Sequence, residues 1–201
     1  MKHANVLRTM VLCAAMTGAL ALAPAAMAQK HLKQNLQAMV ASSANIIAGE
    51  VISVTDGFDD KNRPYTEVQI KVGQDIKGKF AEGSTYSFRQ FGLLKPKSMG
   101  NGKVYLGVSP EGFAKWHTGE QVIAFMNPSL GGGLNSTVGL EQGKFVVQNG
   151  KVQNQLGNLG LFEDMNTQGL SSEELNMLTG SGAVDAATFV ELVGKLAGGQ
   201  Q

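Results

Sequence analysis

Tyr65-Thr66-Glu67-Val68-Gln69-Ile70-Lys71-Val72 alternates without a break. Thr66, Val68, Ile70 and Val72 fall on one face; Tyr65, Glu67, Gln69 and Lys71 fall on the other. A two-residue period is the mark of a strand with one buried and one wet face, as in an antiparallel sheet. The flanking segments repeat the signal. Ile46 to Val54 is rich in β-branched residues and predicts a buried strand, with the polar run Asp56 to Pro64 as the turn between the two. Thr85 to Phe91 predicts a third strand, Tyr86 and Phe88 on one side, Arg89 and Phe91 on the other. Val104 to Val108 fits a short strand and Gln121 to Met126 a strongly apolar one. Lys144 to Gln148, Asn149-Gly150 and Lys151 to Gln153 have the form of a hairpin closed by a type I′ turn.

Helical patterning is confined to the two ends. Leu32, Leu36, Met39 and Val40 make one apolar stripe within residues 30–43. After Gly160 the period returns. Ser171 to Glu174 fits a capping box, Leu170 and Leu175 are spaced as a hydrophobic staple, and Gly180 or Gly182 can end the helix. Asp185 is then placed to cap a last helix that carries Phe189, Leu192, Val193 and Leu196 on one face. Strands in the middle with helices at the ends argue against a parallel α/β sheet. They predict a mainly β fold, a small antiparallel barrel flanked by N- and C-terminal helices.

Residues 1–28 carry Lys2 and Arg8, an apolar run from Thr9 to Ala23, Pro24, and the small-x-small triplet Ala26-Met27-Ala28. That order predicts a secretory signal peptide cut after Ala28. The run is about 15 residues, short of the roughly 20 that span a bilayer. Cleavage removes Cys13, the single cysteine, so no disulfide or thiolate site is expected in the remainder. Of 17 basic and 16 acidic residues it removes Lys2 and Arg8 alone, leaving 15 against 16 and a net charge of −1. Interspersed charges of that balance do not make a nucleic-acid footprint. The expected organisation is a leader at 1–28, a β domain with its N-terminal helix at 29–160, and a helical segment at 161–201. The expected location is periplasmic or secreted, without membrane insertion after cleavage.

Few residues carry a chemical signature. Asp56-Gly57-Phe58-Asp59-Asp60 is acidic, but Gly57 and Phe58 stand where a calcium loop needs other spacing, which leaves a solvated turn. Beyond the leader the histidines are His31 and His117, with no His-Glu-x-x-His, no Gly-x-Ser-x-Gly and no Ser-x-x-Lys. No metal or cofactor is expected. Gly131-Gly132-Gly133 lacks the lysine of a phosphate loop and reads as a flexible connection. Asn135-Ser136-Thr137 is a glycosylation sequon. Tyr65, Arg89 and Phe91 put aromatic and basic groups on adjoining strands. Those three are the candidate ligand-binding residues, cross-strand packing being the alternative reading.

Ala48-Gly49-Glu50-Val51-Ile52-Ser53-Val54, then Tyr65 to Val72 with Ile76-Lys77-Gly78, begin a longer pattern. Gly119 to Phe125 and Val138-Gly139-Leu140-Glu141-Gln142-Gly143-Lys144-Phe145 complete it. Together, over roughly residues 45–152, they resemble a group of uncharacterised bacterial exported proteins and the netrin/TIMP-like version of the OB barrel. The resemblance implies a five-stranded Greek-key barrel and a binding role. Inhibitors of that fold chelate a protease's zinc with an N-terminal cysteine, which a chain starting at Gln29 does not have. The expected function is therefore an exported, non-enzymatic module that binds a protein or a cell-envelope polymer. Two alternatives stand beside it: a hydrolase using His117 with a nearby carboxylate such as Glu120, and a disulfide-free inhibitor of an exported protease.

Overall fold

Asn45–Phe58 forms one long strand, β1, that runs on through Asp56 and Gly57 into the segment expected to turn. Those last residues pair with β2 (Pro64–Asp75), Gly57 opposite Tyr65 and Phe58 opposite Pro64. The turn shrinks to Asp59–Arg63. Asp59 organises it, accepting the backbone N–H of Lys61 and of Arg63 and pairing with the Arg63 guanidinium at 2.6 Å. Thr66, Val68, Ile70 and Val72 are buried, as their alternation predicts.

This computed structural model describes residues 34–129, 133–180 and 182–198. The leader at 1–28 with its cut at Ala28, and Leu32, His31 and Gly131-Gly132, lie outside the described residues. The described chain adds α1 (Leu36–Ser42), β3 (Thr85–Phe91), β4 (Lys97–Ser98), β5 (Val104–Tyr105) and β6 (Gln121–Met126). A 3-10 turn at Leu140–Gly143 leads into β7 (Lys144–Gln148) and β8 (Lys151–Asn154). α2 (Ser172–Thr179), β9 (Val184–Asp185) and α3 (Ala186–Gly198) follow. No helix among the described residues is long and apolar enough to cross a membrane.

The protein is mainly β. Among the described residues, antiparallel strands form one sheet in the order β3-β2-β1-β6-β7-β8-β9, with β4 and β5 as a separate pair. The sheet does not close into the barrel expected from the sequence. The reason lies in the Asn149-Gly150 turn. Both residues take positive φ, 51° and 71°, as a type I′ turn requires. β8 is thereby folded onto the outer edge of β7, and β9 onto β8. The edge that would meet β3 is occupied. At the β3 edge, Arg89 instead bridges to Leu134, and its carbonyl accepts the N–H of Asn135, the sequon asparagine.

β1 pairs with β2 along its length and with β6 through its first half. Its register shifts at Ala48/Gly49 and at Val51/Ser53, bulges that bend the strand between its two partners. The bent sheet is covered on both faces. Ile46, Ile123, Phe125 and Phe145 pack with α1, α2 and α3, where Phe189 closes a three-ring cluster with Phe125 and Phe145. Ile47, Val51, Val68, Ile70, Val122 and Ala124 face the other way, under Tyr86, Phe88 and Trp116. β6 is buried on both faces, which is why its sequence is a continuous apolar run.

The expected capping box is present. Ser171 accepts the Glu174 N–H, and the Glu174 carboxylate accepts the Ser171 N–H at 2.6 Å. Leu175, the expected staple partner, stays exposed. Glu174 is buried and also pairs with Lys195 of α3 at 2.9 Å. The Ser171 backbone N–H, and then Lys195, hold its carboxyl below the ordinary glutamate value. A depressed folded value contributes stability above the unfolded value and loses it as pH falls through the folded one. Thermal melts from about pH 7 to pH 3 should therefore show Tm falling below the ordinary glutamate value, and less steeply in Glu174→Gln, which keeps a capping side chain. Equal slopes would remove Glu174 from the acid transition.

Candidate functional site

The segment between β3 and β6 crosses the bent sheet and forms a groove with it. Gly92 starts the crossing with φ +99°, and a Cβ there would lie 2.3 Å from the Ser109 backbone. Only glycine lets the outgoing and returning chains pass this closely. Leu93 then pairs with the returning chain at Gly107 and Ser109. Between them β4 and β5 form a hairpin arm, anchored at its base. The Leu94 N–H donates to Asp56 at 2.9 Å, and Tyr105 stands edge-on to Phe58 at 5.0 Å. Gly107 leaves room for the Tyr105 ring, which a Cβ would meet at 2.2 Å.

The arm is apolar on its outside. Of the ten exposed large apolar side chains among the described residues, six lie between Phe91 and Val108. Leu106 is 72 % exposed, Val104 57 % and Leu94 52 %. Scattered exposed apolar residues need no explanation, but Leu94, Met99, Val104, Leu106 and Val108 are a local concentration within one short segment.

Beside the arm lies a groove of about 590 Å³. Val54 of β1, Thr66 of β2 and Gln90 of β3 contribute to it from the sheet; Leu93, Leu94, Val108 and residues 114–118 contribute from the crossing segment. The buried polar groups of its floor are already paired. Thr66 Oγ1 donates to the Gly92 carbonyl at 2.8 Å, and Gln90 Nε2 donates to the Ala114 carbonyl at 3.1 Å. Gln90 Oε1 accepts Trp116 Nε1–H at 3.4 Å. Trp116 stacks edge-on to Phe88 at 5.2 Å.

Lys144 holds the far wall. It starts β7, its side chain is 2 % exposed, and its Nζ stands 5.0 Å over the Trp116 ring. Nζ donates to the Lys115 carbonyl and to Glu120 Oε2, the latter at 2.5 Å. Burial pushes the Lys144 ammonium below its ordinary value, and the bond to Glu120 opposes that. Glu120 also accepts the His117 backbone N–H, and its Oε1 lies 2.9 Å from His117 Nδ1. Burial raises the Glu120 carboxyl, but its bonds to Lys144 and His117 outweigh this and leave it below the ordinary value. The structure thus joins His117 to Glu120 as the sequence reading proposed. It adds Lys144, which fixes Glu120 as an ionised anchor. The His117 ring is 70 % exposed at the groove rim, and no hydroxyl among the described residues is hydrogen-bonded to it.

Tyr65, Arg89 and Phe91 lie on the opposite face of β2 and β3 from Thr66 and Gln90. Tyr65 pairs across the strands with Phe91, and Glu67 with Arg89. Arg89 stacks 4.2 Å over the Tyr65 ring and bonds Glu67 at 2.7 Å. The shallow hollow of about 260 Å³ beside them also takes in Asp59, Asp60, Lys61, Arg63 and Leu134. In the acidic loop, Asp56 is engaged by Leu94 and Asp59 by its own turn. Among the described residues no group of three or more His, Cys, Asp or Glu is arranged to hold a metal.

Sequence reasoning takes Trp116 as a packing residue and Val104 to Val108 as a short strand, of which Val104–Tyr105 is one; it misses the burial of Lys144 and the exposed apolar face of the arm. The available signals were a lysine opening an apolar strand and the run Gly83 to Pro110, which is rich in exposed apolar residues and has no acid. No known protein family, curated protein or solved structure matches the chain.

Proposed function

We propose that this protein is an exported binding module that engages a protein or cell-envelope polymer through the groove and the hairpin arm. The observation that carries the reading is the set of exposed apolar side chains from Leu94 to Val108 beside a preformed groove whose lining is half apolar. The order β3-β2-β1-β6-β7 with a long, bulged β1 supports an open OB-like sheet, whose β2–β3 face is the usual binding side of such barrels. The leader-like residues 1–28 support the periplasmic or secreted location. Phe91 links the arm to Tyr65 and Arg89, which form a second, shallower contact surface in this reading. The role is binding, with no cofactor.

Val104→Ser with Leu106→Ser tests it. Both side chains are exposed, so the fold should persist with Tm within a few degrees. Co-sedimentation of the protein with isolated cell-envelope material should fall at least about tenfold, the scale of roughly 1.4 kcal/mol of lost contact. Unchanged co-sedimentation would take the arm out of the site. The His117–Glu120 pair at 2.9 Å supports one competing reading, a hydrolase. Hydrolytic activity that is abolished by His117→Ala would replace the binding module with that enzyme.

A further inference from the structure

We propose that the occupant of the groove and arm is an acidic, apolar-rich peptide segment in extended form, an inference that rests on the binding reading above. Three observations define its chemistry. On the floor Thr66, Gln90 and Trp116 already spend hydrogen bonds within the protein, and Val54, Leu93, Leu94 and Val108 line the groove beside them, so apolar side chains find partners there. The apolar surface continues out of the groove onto Val104 and Leu106, so the guest is longer than a pocket-sized molecule. The charge on the arm has one sign: Lys95, Lys97 and Lys103 stand between Gly92 and Pro110 with no acid among them, and no carboxylate lines the groove.

Among the described residues these three and Lys115 form no ion pair, and Lys97 Nζ stands 5.6 Å over the Phe58 ring. Asp56 is engaged by Leu94 and Glu120 by Lys144 with His117, while Glu111 directly follows Pro110 at the end of the arm. A second copy docking symmetrically through the arm would set these lysines against themselves, which disfavours self-association. A bilayer presents a flat, fluid surface and reaches the protruding arm but not the concave floor at Trp116. An extended chain with alternating acidic and apolar side chains reaches both, placing apolar groups inward and carboxylates against the lysines.

Trp116 is the single tryptophan and sits in the groove, so intrinsic fluorescence reads occupancy without a label. The full mature protein is titrated with short synthetic peptides alternating leucine with aspartate, leucine with lysine, or serine with aspartate, and with vesicles of phosphatidylglycerol. The leucine–aspartate peptide should shift Trp116 emission saturably and bind at least about tenfold tighter than the other two, a gap that narrows in high salt. Lys95→Glu with Lys103→Glu should reverse the preference toward the leucine–lysine peptide. Equal binding of both charge signs, or a response to vesicles alone, overturns the proposal. If envelope co-sedimentation remains sensitive to the Val104 and Leu106 changes while the peptides fail, the acidic-peptide inference falls and the binding reading stands. If both fail, the groove is not the binding site.

Discussion

Lys144→Ala is expected to destabilise the protein by about 3 kcal/mol, the low end of what breaking a buried ion pair costs. The low end applies because Glu120 keeps some solvent contact, with its side chain 22 % exposed. Three interactions go at once: the bond to the Lys115 carbonyl, the pair with Glu120, and the stem and charge over Trp116. At roughly 2–4 °C per kcal/mol for a domain of this size, Tm should fall by about 6–12 °C. Trp116 emission should move to the red as residues 115–120 loosen and water reaches the ring. Lys144→Met separates the causes, since it keeps most of the buried volume and removes the charge. Combined with Glu120→Gln it also removes the stranded carboxylate. If the double variant is at least as stable as Lys144→Met alone, the cost lies in the unpaired charge rather than in packing. A Lys144→Ala protein within about 1 kcal/mol of wild type would show that the wall stands without this lysine.

Gly49→Ala should be as damaging for a different reason. A Cβ at Gly49 would lie 2.1 Å from the Lys71 carbonyl oxygen. That oxygen belongs to the neighbouring strand and cannot rotate away as a side chain could. The sheet must part at the bulge, where β1 is held by β2 and β6 together. The expected loss is about 3 kcal/mol or more, within the strain-driven tail of single substitutions. Gly73 on β2 is the control, because a Cβ there meets its nearest neighbour at an ordinary 3.5 Å. Chemical denaturation of both variants should show a large fall in midpoint for Gly49→Ala and a small one for Gly73→Ala. Equal midpoints would mean that the bulge yields.

The strands were legible because burial follows parity. Residues 65–72 need no distant partner to reveal which face is inside, and Asn149-Gly150 declares its turn by the φ values it alone tolerates well. Closure was not legible. The β7–β8 hairpin was legible at Asn149-Gly150, but closure also depends on what the free edges meet, and neither the addition of β9 to β8 nor the bridge from Arg89 to Leu134 is encoded in local pattern. The site divides in the same way. His117 and Glu120 are three residues apart, so their meeting could be foreseen. Lys144 comes from another strand, and nothing around it in the sequence says that its charge is buried beneath a tryptophan. The arm escaped because an exposed leucine and a buried one look alike until the chain around them is placed.

The sheet has a core on each face, one under the helices around Phe189 and one under the crossing segment around Trp116. Substitutions that share no neighbours tend to add independently. Changes to the groove side therefore draw little on the helix side, which can keep the chain folded while the other is altered. The groove side is free to diverge quickly in sequence under such an arrangement. Lineages descended from one ancestor would then share the strand framework and the helix-side aromatics and yet differ in nearly every residue of the groove and arm.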